Sequence, residues 1–179
     1  MKKEDVLEVL ISEERLKQIC KDLGRQISKD YEGKNLLLVS VLKGAVVFLS
    51  DLLREITCDC RIDFMAVSSY SGTKTTGVVK FKKDLDINPD GCDILIVEDI
   101  LDSGITLAYL KNILADRNAA SIKICALLDK PENRRSDIVA DYVGEVIPDK
   151  FVVGYGLDYD EKYRNLPYVG VLSPAVYER

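Results

Sequence analysis

Val97-Glu98-Asp99-Ile100-Leu101-Asp102-Ser103-Gly104-Ile105-Thr106, entered from the apolar run that begins at Ile94, decides the class of fold. Four consecutive apolar residues, Ile94 to Val97, follow the turn Pro89-Asp90-Gly91 and have the length and composition of a strand buried on both faces. Glu98 to Thr106 reads as a polar loop, and Leu107 to Asn118 as a helix with Leu110, Ile113 and Leu114 turned inward. The same order occurs upstream, where Leu36 to Leu42 is an apolar run, Lys43-Gly44 a turn and Ala45 to Arg54 a helix. Downstream, Ile122 to Leu128 is a third apolar run. Apolar strands alternating with helices predict a mostly parallel sheet covered on both faces, because parallel neighbours need helical crossovers. The predicted class is α/β. Ser12 opens an amphipathic first helix that carries Leu16, Ile19, Cys20, Leu23 and Ile27 and ends near Lys29. Arg61 to Ser69 and Val78 to Lys83 are two more strands, and short strands are expected at Phe151 to Gly154 and around Val169 to Leu172.

Composition narrows the chemistry. The 179 residues contain 25 Lys and Arg, 30 Asp and Glu, five Cys and no His. Without imidazole, a Ser-His-Asp or Cys-His hydrolase and an H-E-x-x-H metalloprotease are excluded. Acid-base work falls to carboxylate, Lys, Tyr or Cys. The net charge of -5 speaks against a sequence-independent nucleic-acid binder. Cys58 and Cys60, one residue apart, match neither a C-x-x-C redox motif nor a zinc knuckle. Cys20 and Cys125 fall on core-facing positions. Residues 1–10 lack the features of a secretory leader, and no apolar run reaches the roughly 18 to 20 residues that span a bilayer. The expectation is a cytoplasmic protein of one domain over 1–179, with no membrane partner.

Ligands of open α/β sheets sit beyond the carboxyl ends of the strands. There, Asp102 to Thr106 is short, carries Gly and two hydroxyls, and opens a helix whose N-H groups suit a phosphate monoester. Glu98 and Asp99 stand beside it. Carboxylates repel phosphate, so their place there suggests that they accept from sugar hydroxyls or hold a hard cation such as Mg²⁺. Taken alone, Asp102 and Ser103 read as an ordinary helix cap. The chain lacks a Walker A pattern, and Gly154-Tyr155-Gly156 lacks the third glycine of a Rossmann fingerprint, which disfavours ATP and NAD.

Val97 to Thr106 resembles the phosphoribosyl-pyrophosphate-binding signature of the type I phosphoribosyltransferases, with Ser103 where Thr is more usual. The resemblance runs over nearly the whole chain and narrows to the hypoxanthine-guanine phosphoribosyltransferases. It implies a mostly parallel sheet flanked by helices, a small hood from about 150–179 with an N-terminal contribution, and a flexible catalytic loop. Glu98, Asp99, Asp102, Ser103, Gly104, Ile105 and Thr106 would then hold the phosphoribosyl group. Leu42-Lys43-Gly44 resembles the pyrophosphate loop, where the family has a cis peptide before the lysine, and Arg164 resembles a pyrophosphate clamp. Ser69 and Tyr70, with Ser71-Gly72, resemble the catalytic lid, for which the exclusion of water from an oxocarbenium-like sugar gives a reason. Lys130 would donate to the 6-oxo group of a purine, Phe151 would stack on the base, and Val152 and Asp158 would contact it. Glu98, Asp99 and Asp158 would hold Mg²⁺, some through water.

The reaction so implied transfers the phosphoribosyl group from phosphoribosyl pyrophosphate to N9 of hypoxanthine or guanine, with release of pyrophosphate. Asp102 is the candidate acceptor of the N7 proton. A carboxylate is a weak base at neutral pH, so it would act through alignment in a closed site. The family prior for assembly is a homodimer or homotetramer. Two other readings share the fold, a nucleotide-sensing regulator and a xanthine-preferring enzyme. A regulator would be expected to show a basic face or an added DNA-binding domain, and this chain has no basic surplus.

Overall fold

The computed structural model describes residues 5–69 and 79–178. In chain order the elements are β1 (Val6–Ile11), α1 (Glu13–Asp30), β2 (Leu36–Val41), α2 (Val46–Glu55), β3 (Cys60–Ser69), β4 (Val79–Lys83), β5 (Asp93–Leu101), α3 (Ile105–Asp116), β6 (Ser121–Asp129), β7 (Tyr142–Val146), β8 (Val152–Val153), β9 (Val169–Leu172) and α4 (Pro174–Tyr177). Six strands form one sheet in the order β4-β3-β2-β5-β6-β7, and three form a small sheet in the order β1-β9-β8. The large sheet is parallel except for β4, which returns antiparallel to β3.

The period-two geometry of strands splits the core into two layers. Leu36, Leu38, Leu95, Val97, Cys125 and Leu127 pack under α1 and α2. Leu37, Val39, Ile94, Ile96, Ile124 and Ala126 face α3, where they meet Leu107, Leu110 and Leu114. Every residue of β2 is buried, as expected of a strand between two parallel neighbours. The Ser12 side chain caps α1 by accepting from Arg15 N, and the buried stripe is Leu16, Ile19, Cys20, Leu23 and Ile27 with Gly24.

The structure corrects the reading of Glu98 to Thr106 as a loop. Strand β5 runs on through Leu101, so Glu98 and Asp99 lie inside it and only Asp102 to Gly104 separate it from α3. The sequence pattern alone did not reveal β1, β7 or the C-terminal turn α4. Both strands are edges of their sheets, where one side has no neighbour and the apolar signal weakens. Cys92 is as buried as Cys20 and Cys125, and all five cysteines are free.

Candidate functional site

The carboxyl ends of β5 and β6 and the turn after β2 meet in one region. Gly104 stands at the N-cap of α3 with φ 75°, a left-handed conformation that suits Gly. A Cβ there would come within 2.4 Å of Ser136 Oγ. The segment after β6 supports this turn from below, since Ser103 O accepts from Arg135 N (2.9 Å) and from Ser136 Oγ (3.2 Å). The first turn of α3 has no acidic residue and its N-cap makes no side-chain cap bond, so its N-H groups are free of the usual anionic neighbour. A cavity opens over this turn, lined by Glu98, Asp102, Ser103, Gly104 and Thr106.

Glu98 and Asp99 point to different places, as neighbours in a strand must. Glu98 lines the α3 cavity, and its Oε2 is buried without a hydrogen-bond partner. Burial, then the negative charge of Asp99, pushes its carboxyl well above the ordinary glutamate value. The Asp99 carboxyl faces the turn after β2 instead, where its Oδ2 occupies the space beside Gly44. Burial raises it to about 6, against the pull of the Ile100 N-H and of Arg164, and Asp158 adds to the rise.

The peptide Leu42-Lys43 is cis, the geometry the resemblance implied. Gly44 is packed between Asp99 on one side and Gly156 on the other, and a Cβ on Gly156 would lie 2.1 Å from Gly44 O. Arg164 donates to Gly156 O (2.7 Å) and pairs with Asp158 (2.9 Å). Lys43 reaches Glu161 at 2.9 Å. The chain from 154 to 163 is tightly wound, with Tyr155, Asp160, Glu161 and Tyr163 all at positive φ.

A second cavity lies on the far side of Asp102, lined by Ile100, Lys130, Lys150, Phe151, Val152 and Leu157 as well as Asp102 itself. Lys130 is 6% exposed. Its ammonium pairs with Asp149 (2.8 Å) and donates to Lys150 O (3.2 Å). Phe151 is 41% exposed, so it is not the core residue its apolar character would suggest. Tyr177 stacks on it with ring centres 5.0 Å apart, and Tyr159 meets it edge-on at 5.8 Å. Asp102 and Ile100 line both cavities, and Asp102 Oδ1 is buried without a partner.

The structure thus brings together Glu98, Asp102, Ser103, Gly104 and Thr106 at one cavity, Asp99, Gly44, Asp158 and Arg164 beside the turn after β2, and Asp102, Lys130, Phe151 and Val152 at the other cavity. Leu42 is half-buried at that turn, and Ile105 is the exposed first residue of α3. Asp158 sits with Arg164 and does not line the second cavity. Tyr70 and Ser71-Gly72 lie outside the described residues, and Ser69 ends β3. Sequence reasoning missed Ile100, Lys150 and Leu157. Ile100 had a signal, because an apolar residue between the acidic pair Glu98-Asp99 and Asp102 needs an apolar surface to face.

A hard cation fits the carboxylates present. Glu98 Oε2 is a buried oxygen without a partner, and burial disfavours the charged form of both Glu98 and Asp99, a penalty that a bound cation would relieve. The described residues contain no group of three or more His, Cys, Asp or Glu able to hold a metal by themselves. Mg²⁺ takes one or two carboxylates and completes its shell with water and substrate phosphates.

A helix N-terminus without acidic residues in its first turn, carboxylates beside it and a separate cavity with a buried lysine meet at the carboxyl end of β5. Residues 9–160 match the phosphoribosyl transferase domain, and the chain belongs to that family. It is 54% identical over 179 residues to the hypoxanthine-guanine phosphoribosyltransferase of Bacillus subtilis, covering 99% of each chain. It is 52% identical over 174 residues to the bifunctional protein TilS/HprT of Listeria monocytogenes, where it accounts for 97% of its own length and 27% of the relative's. The crystal structure of a hypoxanthine phosphoribosyltransferase from Staphylococcus aureus superposes with a TM-score of 0.95 at 52% identity, over 98% of this chain and 96% of that one. No helix among the described residues is long and apolar enough to cross a membrane.

Proposed function

We propose that the chain transfers the 5-phosphoribosyl group from phosphoribosyl pyrophosphate to N9 of hypoxanthine or guanine, giving the nucleoside 5'-monophosphate and pyrophosphate in purine salvage. The observation that carries this reading is the position of Asp102 between the α3 cavity and the Lys130-Phe151 cavity. A 5'-phosphate in the first and a base in the second place C1 of the sugar and the purine five-membered ring next to one carboxylate.

The α3 N-H groups, Ser103 and Thr106 bind the 5'-phosphate. Glu98 faces the ribose hydroxyls. The backbone amides at Lys43 and Gly44, with the Arg164 guanidinium, take up the negative charge that grows on the leaving pyrophosphate. Glu98, Asp99 and, through water, Asp158 would hold Mg²⁺, which would supply positive charge against the leaving pyrophosphate. Asp102 accepts the N7 proton and so raises the nucleophilicity of N9. Lys130 donates to the 6-oxo group, a contact that adenine's 6-amino group would meet donor against donor. Phe151, backed by Tyr177, stacks on the base, and the small sheet that carries this segment forms the hood. Ser69 and Tyr70 belong to the lid that excludes water, and the assembly is a homodimer or homotetramer, as the family prior has it.

Pyrophosphate release measured with hypoxanthine, guanine, xanthine, adenine and uracil side by side tests the proposal. Turnover confined to the first two supports it. Turnover mainly with xanthine, or none with any base, refutes it in favour of the xanthine-preferring enzyme or the sensor.

A further inference from the structure

Lys130 is a buried lysine at the mouth of the base cavity, and how its ammonium is aimed decides what it can read. An ammonium has three N-H donors on a flexible stem, so it specifies a direction only when other contacts fix it. The ammonium donates to Lys150 O (3.2 Å) and pairs with the Asp149 carboxylate at 2.8 Å. Held between that carboxylate and that carbonyl, it is restricted in where its remaining N-H can point. Asp149 is itself held, because Asn133 Nδ2 donates to the same Oδ1 at 2.7 Å. Asn133 belongs to the 3-10 turn Pro131–Asn133 directly after Lys130, so Asp149 closes a ring of contacts around the end of β6. These contacts from Lys130 and Asn133 hold the Asp149 carboxyl below the ordinary aspartate value, charged at neutral pH.

Asp149, Lys150 and Phe151 are consecutive. They present a carboxylate to Lys130, a carbonyl to Lys130 and an aromatic ring to the cavity. The Lys150 side chain pairs with Glu8 of β1, which ties the same three residues to the small sheet. The base donor, on the large sheet, and the stacking ring, on the small one, are therefore set relative to each other through Asp149.

We propose that Asp149 is a positioning residue for base recognition: it holds the Lys130 ammonium in register with the Phe151 ring, so that a 6-oxopurine is bound and a 6-aminopurine rejected. The proposal rests on the reading of Lys130 as the donor to the 6-oxo group. Asp149 is half-exposed and outside the packed core, so its loss leaves the fold intact. Its effect is confined to the base side, because none of its contacts reaches Asp102, Arg164 or Gly44.

The test is steady-state kinetics of Asp149→Ala, Asp149→Asn and Lys130→Ala with both substrates varied. Asp149→Ala is expected to raise KM for hypoxanthine about tenfold, the scale of one charge-assisted hydrogen bond, and to lower the preference for hypoxanthine over adenine by a similar factor. KM for phosphoribosyl pyrophosphate and kcat stay within about twofold of wild type. Asp149→Asn keeps an acceptor oxygen and recovers a large part of the hypoxanthine affinity, which a general loss of structure would not show. An unchanged KM for hypoxanthine in Asp149→Ala, or an equal rise for both substrates, overturns the proposal while a raised KM in Lys130→Ala leaves the donor reading standing. If Lys130→Ala binds hypoxanthine as wild type does, the donor reading falls and Asp149's role falls with it.

Discussion

Gly44→Ala is the sharpest probe of the site because it adds one methyl group to a place with no room. The φ of Gly44 is not in the left-handed region, so alanine is allowed by the backbone and the effect is steric. The new Cβ would lie 1.8 Å from Asp99 Oδ2 and 3.0 Å from its Cγ. Relief needs a separation about 1.6 Å greater to reach ordinary contact. The turn has little freedom to retreat, because Gly156 already packs against Gly44 O. Asp99 has little as well, since its Oδ1 accepts from Ile100 N at 2.8 Å. The expected cost in stability is that of an overpacked site, about 1 to 3 kcal/mol. A midpoint near 2 kcal/mol lowers Tm by about 4 to 8 °C in a chain of this size. The catalytic cost is larger, because a displacement near 1 Å of groups aimed at a leaving anion lowers rate by about 100-fold. Differential scanning fluorimetry reads the first effect. Initial rates of pyrophosphate release read the second, which should fall on kcat/KM for phosphoribosyl pyrophosphate with KM for hypoxanthine near wild type. A variant with wild-type kcat/KM for phosphoribosyl pyrophosphate would refute the placement of Gly44 and Asp99 at the leaving group.

Asp102→Asn should lower kcat by about 100-fold or more while both KM values change little, as expected for a proton acceptor; wild-type turnover would remove that role. Asp63 is buried at 4% exposure in β3 and accepts from the backbone N-H of Phe64, Asp86 and Ile87 at 2.7 to 2.8 Å. Burial acts to raise its carboxyl, but those donors and Lys83 outweigh it and leave it below the ordinary value. A group lowered on folding stabilises above its unfolded pKa, and that stability is lost as pH falls through the folded pKa. Urea unfolding should therefore show Asp63→Asn less stable by about 2 kcal/mol at pH 7, with the gap from wild type closing below about pH 4; a gap constant with pH would refute it. Leu95→Ala, which empties a fully buried position in the central strand, should cost about 3 kcal/mol by the same measurement. Treatment with EDTA should abolish turnover and leave circular dichroism unchanged, because the carboxylates supply only part of the cation's shell; full activity in chelator would refute the cation reading.

Much of this was legible in the sequence wherever burial imposed a period. Leu16, Ile19, Cys20, Leu23 and Ile27 marked α1 because one face of that helix is in the core, and Leu36 to Val41 marked β2 because both of its faces are. The sequence failed where the apolar run breaks off before the strand does. Glu98 and Asp99 look like loop residues because they put carboxylates at a strand end where an apolar pair would continue. Strand β7 is half-buried at an edge, so Val143, Gly144 and Glu145 alternate too weakly to be read. The neighbours of Lys130 were invisible for another reason. Asp149 lies 19 residues away along the chain, and no local spacing connects them; only the fold does. Tyr177 behind Phe151 is hidden in the same way.

The pairing of β1 with β9 has a consequence for how the domain is made. Val6 sits opposite Leu172, and Ile11 opposite Val169, so the small sheet is closed by the strand pairing most widely separated in sequence among the described residues. The large sheet pairs strands nearer in sequence: β2 with β3 across α2, β5 with β6 across α3, and β2 with β5 once β3 and β4 have been made. On a ribosome, the turn at Asp102 to Thr106 can take shape while β9 is still unmade, and β1 must wait until residue 172 has emerged. The large sheet can thus assemble before the small one, and the cavity beside Phe151 closes only after the turn at Asp102 has formed.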